Sequence, residues 1–278
     1  MPSEQELSVM ILVKAAPVLT SALRESMCVA AMSVGPEAQW IRLHPVPFRD
    51  LSDDSKFRKY QEITVRAVRP NSDRRPESWT PIEGSIRPGE IIGRDHGWST
   101  RRQRVAALGE HTMCDLIEQN RSGSGPDTPS LAVVRAAEPP ELLIDERDQD
   151  QLDRWRERAA AIAAQPSLFD NQDTPRPDFE VIPWRFRYSY RCLSPNCNGH
   201  RQTIIDWEAV ALWRKVRHHV DWQDKIRQKF VSELWAAGRA SALFVGNMEQ
   251  RPWNFLVLGV FWPPVQGLQQ SLLESRDP

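Results

Sequence analysis

The chain lacks the signatures by which most enzymes announce themselves. It contains no GxSxG nucleophile elbow, no GxxxxGK[ST] phosphate loop, no GxGxxG dinucleotide turn and no HExxH zinc helix. The HxE…PCxxC pattern of zinc deaminases is also missing. No apolar run approaches the roughly 20 residues that span a bilayer. Glu4 and Glu6 precede the short apolar stretch at 8–13, the opposite sign to a signal peptide. These absences predict a cytoplasmic protein with no membrane partner. Charge of one sign is lacking too. A formal net charge of −1 gives no general pull toward nucleic acid, so local basic clusters must carry any such reading. Four cysteines cannot make a disulfide scaffold in a chain of 278 residues, and a reducing compartment leaves metal binding for the closest pair.

What is present is an ordinary globular composition, 40% apolar and 26% charged, long enough for about two domains. Eleven tryptophans are unusual. Most are expected in the core, the rest on a surface that could stack bases.

Segments 8–13, 27–34, 39–43 and 62–68 read as strands, with Gly35-Pro36 as a turn. Short strands joined by turns predict a small closed barrel. A short helix is expected at 53–59, a long one at 99–119 and another at 145–164, with a strand at 131–135 between the last two. The composition of QPSLFDNQDTPRP, residues 165–177, is that of a linker. A strand at 181–191, helices at 206–219 and 221–237, and strands at 242–246 and 255–261 complete the expectation. The division is therefore read as 1–140, a helix and linker at 141–178, and 179–278.

The stretch YRCLSPNCNGHRQTIIDWE holds the strongest chemistry. Cys192, Cys197 and His200 follow a Cys-x4-Cys-x2-His spacing, and zinc accepts thiolate and imidazole presented from one turn. The fourth ligand is open between Cys114, His218, His219, a carboxylate and water. Asp206 and Glu208 carry two readings. On a strand they share a face and could act as catalytic acid and base; before a helix at Trp207, Asp206 is its N-cap.

Basic and aromatic residues cluster in three places. Arg42 and His44 lie on one side of a strand. Arg74, Arg75 and Trp79 lie in DRRPESW, where local salt bridging competes with phosphate contact. Arg94, Trp98, Arg101 and Arg102 form the densest group, with His96 and Arg104 beside them. These nine named first are the candidate nucleic-acid-binding residues, with Trp79 and Trp98 as stacking platforms.

The segments WIRLHPVPFRDL, DRRPES, IPWRFRYSYRC, CNGHRQTIIDWE and FVGN…FLVLGVFWPP resemble an uncharacterised prokaryotic family. The N-terminal part, MCVAAM…QWIRLHPVPF, is similar to dual-OB-type barrel domains of prokaryotic DNA-modification and defence loci. That resemblance implies an OB-like nucleic-acid-binding barrel and no catalytic residues.

The resulting expectation is an α+β protein, an OB-like β-barrel followed by an α+β domain with a zinc-knuckle-like turn. Its function would be binding DNA or RNA in a DNA-modification or anti-phage defence pathway, with protein partners from that system. The rivals are a zinc-dependent hydrolytic enzyme acting on a nucleobase or nucleotide, and a zinc-stapled interaction scaffold.

Overall fold

The computed structural model describes residues 3–20, 24–123, 128–164 and 179–265, so the expected linker at 165–177 lies outside it. The N-terminal part is built from β1 (Gln5–Lys14), β2 (Val18–Thr20), β3 (Arg24–Ser33), β4 (Trp40–Val46), β5 (Gln61–Val68), β6 (Ser78–Pro81) and β7 (Arg87–Ile91). Hydrogen bonding runs β1-β3-β4-β6-β5 and closes from β5 back to β1. The closed five-strand circuit is an OB-like barrel. Its one parallel pair is β4 with β6; the other pairs are antiparallel. The helix expected at 53–59 is only a 3-10 turn, Asp53–Ser55.

The strand alternation sets the barrel interior. Val9, Ile11, Val29, Ala31, Leu43, Ile63 and Val65 fill it. The intervening residues Met10, Leu12, Ala30 and Met32 point outward, yet they are also buried. A second apolar layer covers them, which explains why β1 reads as a continuous run, VMILV, instead of an alternating one.

That layer is a three-stranded sheet of β8 (Leu131–Val134), β12 (Ala242–Met248) and β13 (Arg251–Phe261), in the order β13-β12-β8. One face, with Leu131, Val133, Phe244 and Phe261, packs on the outside of the barrel. The other face, with Val134, Leu243, Val245 and Val257, belongs to a second core. That core also takes in a sheet of β9 (Glu141–Glu146), β10 (Trp184–Tyr190) and β11 (His200–Thr203). Gly246 lies in the covering sheet, where a Cβ would come within 2.9 Å of Leu131 and Leu258, so no larger residue fits without a shift.

The helices are α1 (Asp95–Ala106), α2 (Met113–Ser122), α3 (Gln149–Ala163), α4 (Trp207–Val216) and α5 (Trp222–Arg227), the last continued by a π-helical stretch, Gln228–Glu233. The single helix expected at 99–119 is two. Gly109, at φ +74°, breaks it, and the Thr112 side chain caps α2 by accepting from the Asp115 N–H. The segment read as helix and linker begins with a strand, β9, which pairs with β10.

Candidate metal centre and nucleic-acid interface

The knuckle forms between β10 and β11. Gly199, at φ +98°, turns the chain where a side chain would be strained, and this brings His200 back toward Cys197. The imidazole Nε2 lies 3.2 Å from the Cys197 Sγ. The fourth member comes from α2: Cys114 Sγ is 3.7 Å from Cys192 Sγ and 3.6 Å from His200 Nε2. All four ligand atoms lie within 4.8 Å of one another, a group that could hold a metal ion. The donor set fits an ion that needs thiolates. The Cys197 sulfur accepts the backbone N–H groups of Cys192 at 3.3 Å and Gly199 at 3.4 Å, as an anionic sulfur requires. Burial works to raise the Cys192 pKa, but hydrogen bonds led by the Ser194 backbone hold it below the ordinary thiol value. Burial and the neighbouring thiols instead push the Cys114 pKa up to about 12, so that sulfur stays a thiol unless a cation is bound. Of the fourth ligands considered from sequence, Cys114 is the residue the fold brings in.

Asp206 and Glu208 do not join that group. Asp206 is the N-cap of α4, its side chain accepting from the Glu208 N–H at 2.9 Å. It is buried at the junction with the barrel, where its backbone bridges to Ala15. Burial pushes its pKa up to about 7 against the pull of Lys59 and Lys14. Glu208 lies 3.6 Å from Lys59 Nζ. The neighbour Tyr60 is buried, adopts φ +61°, and has no hydrogen-bond partner for its hydroxyl among the described residues.

The nine candidate nucleic-acid residues scatter. Arg42 is 4% exposed and donates to Ser130 Oγ at 2.7 Å, beside Glu77. It ties the barrel to β8 and cannot meet a phosphate. Arg101 is held under the Ile92 carbonyl, Nε to O 2.8 Å, and is likewise buried. Trp79 and Trp98 are buried, which corrects their reading as open stacking platforms. Arg75 forms a forked pair with Asp73 and donates to the Asn247 carbonyl at 3.0 Å, so its guanidinium is occupied. His44 and Arg74 are exposed.

The surface an OB barrel ordinarily offers to oligonucleotides, its second and third strands with the adjoining loops, is covered here. Trp40 of β4 meets Phe244 of β12 edge-on at 6.0 Å. The Ala16 N–H reaches the Ile205 carbonyl on one side, and the Arg75 loop reaches Asn247 on the other.

Cations converge instead at the seam. Arg94, Lys229 and Arg239 lie 5.9, 5.1 and 4.6 Å from the centroid of the Trp262 ring. Three distant segments thus bring like charge to one indole. Arg102 joins them, donating to the Pro264 carbonyl at 3.4 Å. Lys229 also pairs with Glu233. Trp262 packs edge-on against Trp98 at 5.2 Å, and the Arg101 guanidinium packs against both Tyr60 and Trp98, 4.1 and 4.9 Å from their ring centroids. Backbone strain collects at the same place. Tyr60, His96 and Trp98 are the described non-glycine residues at positive φ, and Tyr60 touches Trp98. Such outliers persist where the surroundings fix them, often at functional sites. Of the expected set, Arg94 and Arg102 belong to this surface. Lys229, Arg239 and Trp262 were not anticipated, since no local spacing links residue 94 to 229, 239 and 262.

The protein is thus a two-part α+β molecule, an OB-like barrel sealed on one side by a sheet whose far side carries a Cys3His group. The chain belongs to the family described as a domain of unknown function, DUF8757, whose model matches residues 109–277. The model of a second domain of unknown function, DUF8758, matches residues 5–107. No curated protein gives a match. Among solved structures, a replication protein A heterotrimer bound to ssDNA is similar at 10% identity over 99% of this chain and 69% of that one. Its TM-score is 0.28. No helix of the described residues is long and apolar enough to cross a membrane.

Proposed function

We propose that the protein binds nucleic acid through the cationic seam at Trp262. The convergence of Arg94, Lys229 and Arg239 on one ring carries this reading. The indole face and the Lys229–Glu233 pair offset the cost of gathering these like charges in part, and a polynucleotide backbone supplies further anions in series. In this reading the seam replaces the barrel face as the contact surface, and the extents of the two family models, 5–107 and 109–277, support a division near residue 108 in place of the expected 140. A cytoplasmic setting is carried over from the charge pattern and short apolar runs of the sequence, and a place in DNA modification or anti-phage defence from its resemblance.

The Cys3His group is read as a structural zinc site. Tetrahedral zinc, with Zn–S near 2.3 Å and Zn–N near 2.0 Å, sets its ligand atoms about 3.5–3.8 Å apart. The Cys114–Cys192 and Cys114–His200 separations of 3.7 and 3.6 Å fit, and Cys197–His200 at 3.2 Å is slightly tighter. Four protein ligands leave no open position for water, which favours a staple over a catalytic ion.

The test is fluorescence anisotropy with a labelled single strand and a duplex. Binding should weaken steeply as salt rises, with a log–log slope of about −2 to −3 for the single strand and about −2.7 to −3.6 for the duplex at three to four phosphate contacts. Absence of binding to either at low salt overturns the reading.

A further inference from the structure

A second place on the barrel has the chemistry of a ligand site. A groove of about 260 Å³ runs between the start of β1, the β3–β4 connection and the loop before β6. Trp40 contributes an aromatic wall, Trp79 lies buried as the floor beneath Arg69, and Gln5, Glu6 and Gln39 line its polar side. Arg69 completes it. Its guanidinium carbon lies 3.7 Å above the centroid of the Trp79 ring. Its Nη1 is fixed by the carbonyls of Pro76 and of Ser78, the latter at 3.2 Å.

This arginine is pinned, planar and unspent. No carboxylate lies in ion-pair contact with it among the described residues; Glu77, committed to Arg42 and Ser130, acts on it only through space. Both of its hydrogen bonds use Nη1, so Nε and Nη2 keep donors available. One face of the guanidinium rests on Trp79, and the side chain is exposed on the other. A phosphate would need only the donor edge of such a group. A flat ring bearing acceptor oxygens or nitrogens would use the edge, the open face and the Trp40 wall together, as unstacked bases do on aromatic and arginine planes.

We infer that this groove receives a single unstacked nucleobase, stacked against the Arg69 guanidinium and accepting its N–H donors. The inference rests on the nucleic-acid reading for the source of the base, while its chemistry is independent of the cations at Trp262. The same base could arrive as a free nucleoside or as part of a strand.

The experiment is equilibrium binding of the full chain to adenosine, guanosine, cytidine and uridine, to inorganic phosphate, and to a mixed-sequence single-stranded oligonucleotide. At least one nucleoside should bind saturably at one site, without competition from phosphate. Arg69→Met should weaken it about tenfold or more, the range of one base stack. Arg69→Lys should not rescue it, because an ammonium has no plane to stack. Thermal melting of both variants checks that the barrel is intact, and Trp40→Ala should weaken the same nucleoside from another element. Failure of every nucleoside, competition by phosphate, or wild-type affinity in both Arg69→Met and Trp40→Ala overturns the inference. An oligonucleotide that binds while no nucleoside does removes the groove and leaves the cationic seam standing. A nucleoside that binds while no oligonucleotide does removes the seam and leaves the groove as a small-molecule site.

Discussion

The sulfur of Cys114 lies 3.7 Å from that of Cys192, although 78 residues separate them. Cys114 sits in the first turn of α2, and Cys192 follows β10. A metal held between them would therefore fix a helix to a sheet whose core residues, Met113, Leu116 and Tyr190, pack together. The purified protein is expected to carry one zinc per chain by elemental analysis. Cys114→Ser or a strong chelator should lower the melting midpoint by about 10 °C or more, since several kcal/mol are lost in a protein of this size. A metal content near zero, with Cys114→Ser melting like the parent, refutes the staple.

Asp206 gives a pH dependence whose sign is fixed. Burial holds its folded pKa near 7, against about 3.9 in the unfolded chain. The folded state therefore grips this proton more tightly. Its contribution is largest below about pH 4, declines as pH rises toward 7, and is constant above. Asp73 acts in the opposite direction but lower down. Burial works to raise its pKa, yet hydrogen bonds from Arg75 and Ser78 hold it at about 2, so its stabilisation is lost only as pH falls below about 4. Asparagine caps helices as well as aspartate does. Asp206→Asn should thus remove the decline between pH 4 and 7 in urea unfolding while keeping α4 capped. Asp206→Ala should cost about 1 kcal/mol through the lost cap. An unchanged pH profile in Asp206→Asn would falsify this assignment.

Arg42 and Glu77 form an ion pair between side chains only 5% and 9% exposed. Breaking one side of such a pair strands the other charge, at about 3–5 kcal/mol. Arg42→Met should show that loss in chemical denaturation, and adding Glu77→Gln should recover part of it. Nucleic-acid affinity of the folded fraction should not move, because Arg42 faces Ser130 and not solvent. A selective loss of affinity with normal stability would return Arg42 to the contact surface.

How much of this was readable in advance depended on the range of the interaction. The barrel strands were legible because their pattern is local: Ile63, Val65 and Ala67 alternate with outward residues along β5. Even β1, buried on both faces, kept its apolar signature. The break between α1 and α2 was missed because apolar spacing continues through Leu108 and Met113, while the stop is made by one glycine and one threonine cap. β7, RPGEI, carries proline and glycine and has no buried residue, so its pairing with β5 left no mark on the pattern. Within the knuckle, Cys192, Cys197 and His200 declared themselves by spacing. Cys114 did not, being brought in by packing of α2. Arginine was the least legible residue. Arg42, Arg75, Arg94 and Arg101 look alike in the chain, and only tertiary partners separate a buried tie from an exposed cation.

Trp262 is the residue on which that distinction can be tested. Its ring is the common neighbour of Arg94, Lys229 and Arg239. A cation over an indole face is worth about 0.5–2 kcal/mol, less over a phenyl ring and almost nothing over an alkyl chain. Trp262→Phe should therefore keep most of the affinity for a single strand, and Trp262→Leu should lose about tenfold at low salt. Trp262→Leu should leave the dependence on salt nearly parallel to that of the parent, because the cations remain and are only less well gathered. Arg94→Gln and Arg239→Gln should each make the slope shallower by about 0.7–0.9, one phosphate contact apiece. Melting curves separate these effects from lost packing, since Trp262 also supports Trp98. If the arginine variants leave the salt slope untouched while Trp262→Leu merely unfolds the seam, the three cations are a solvated surface and the nucleic acid, if bound, lies elsewhere.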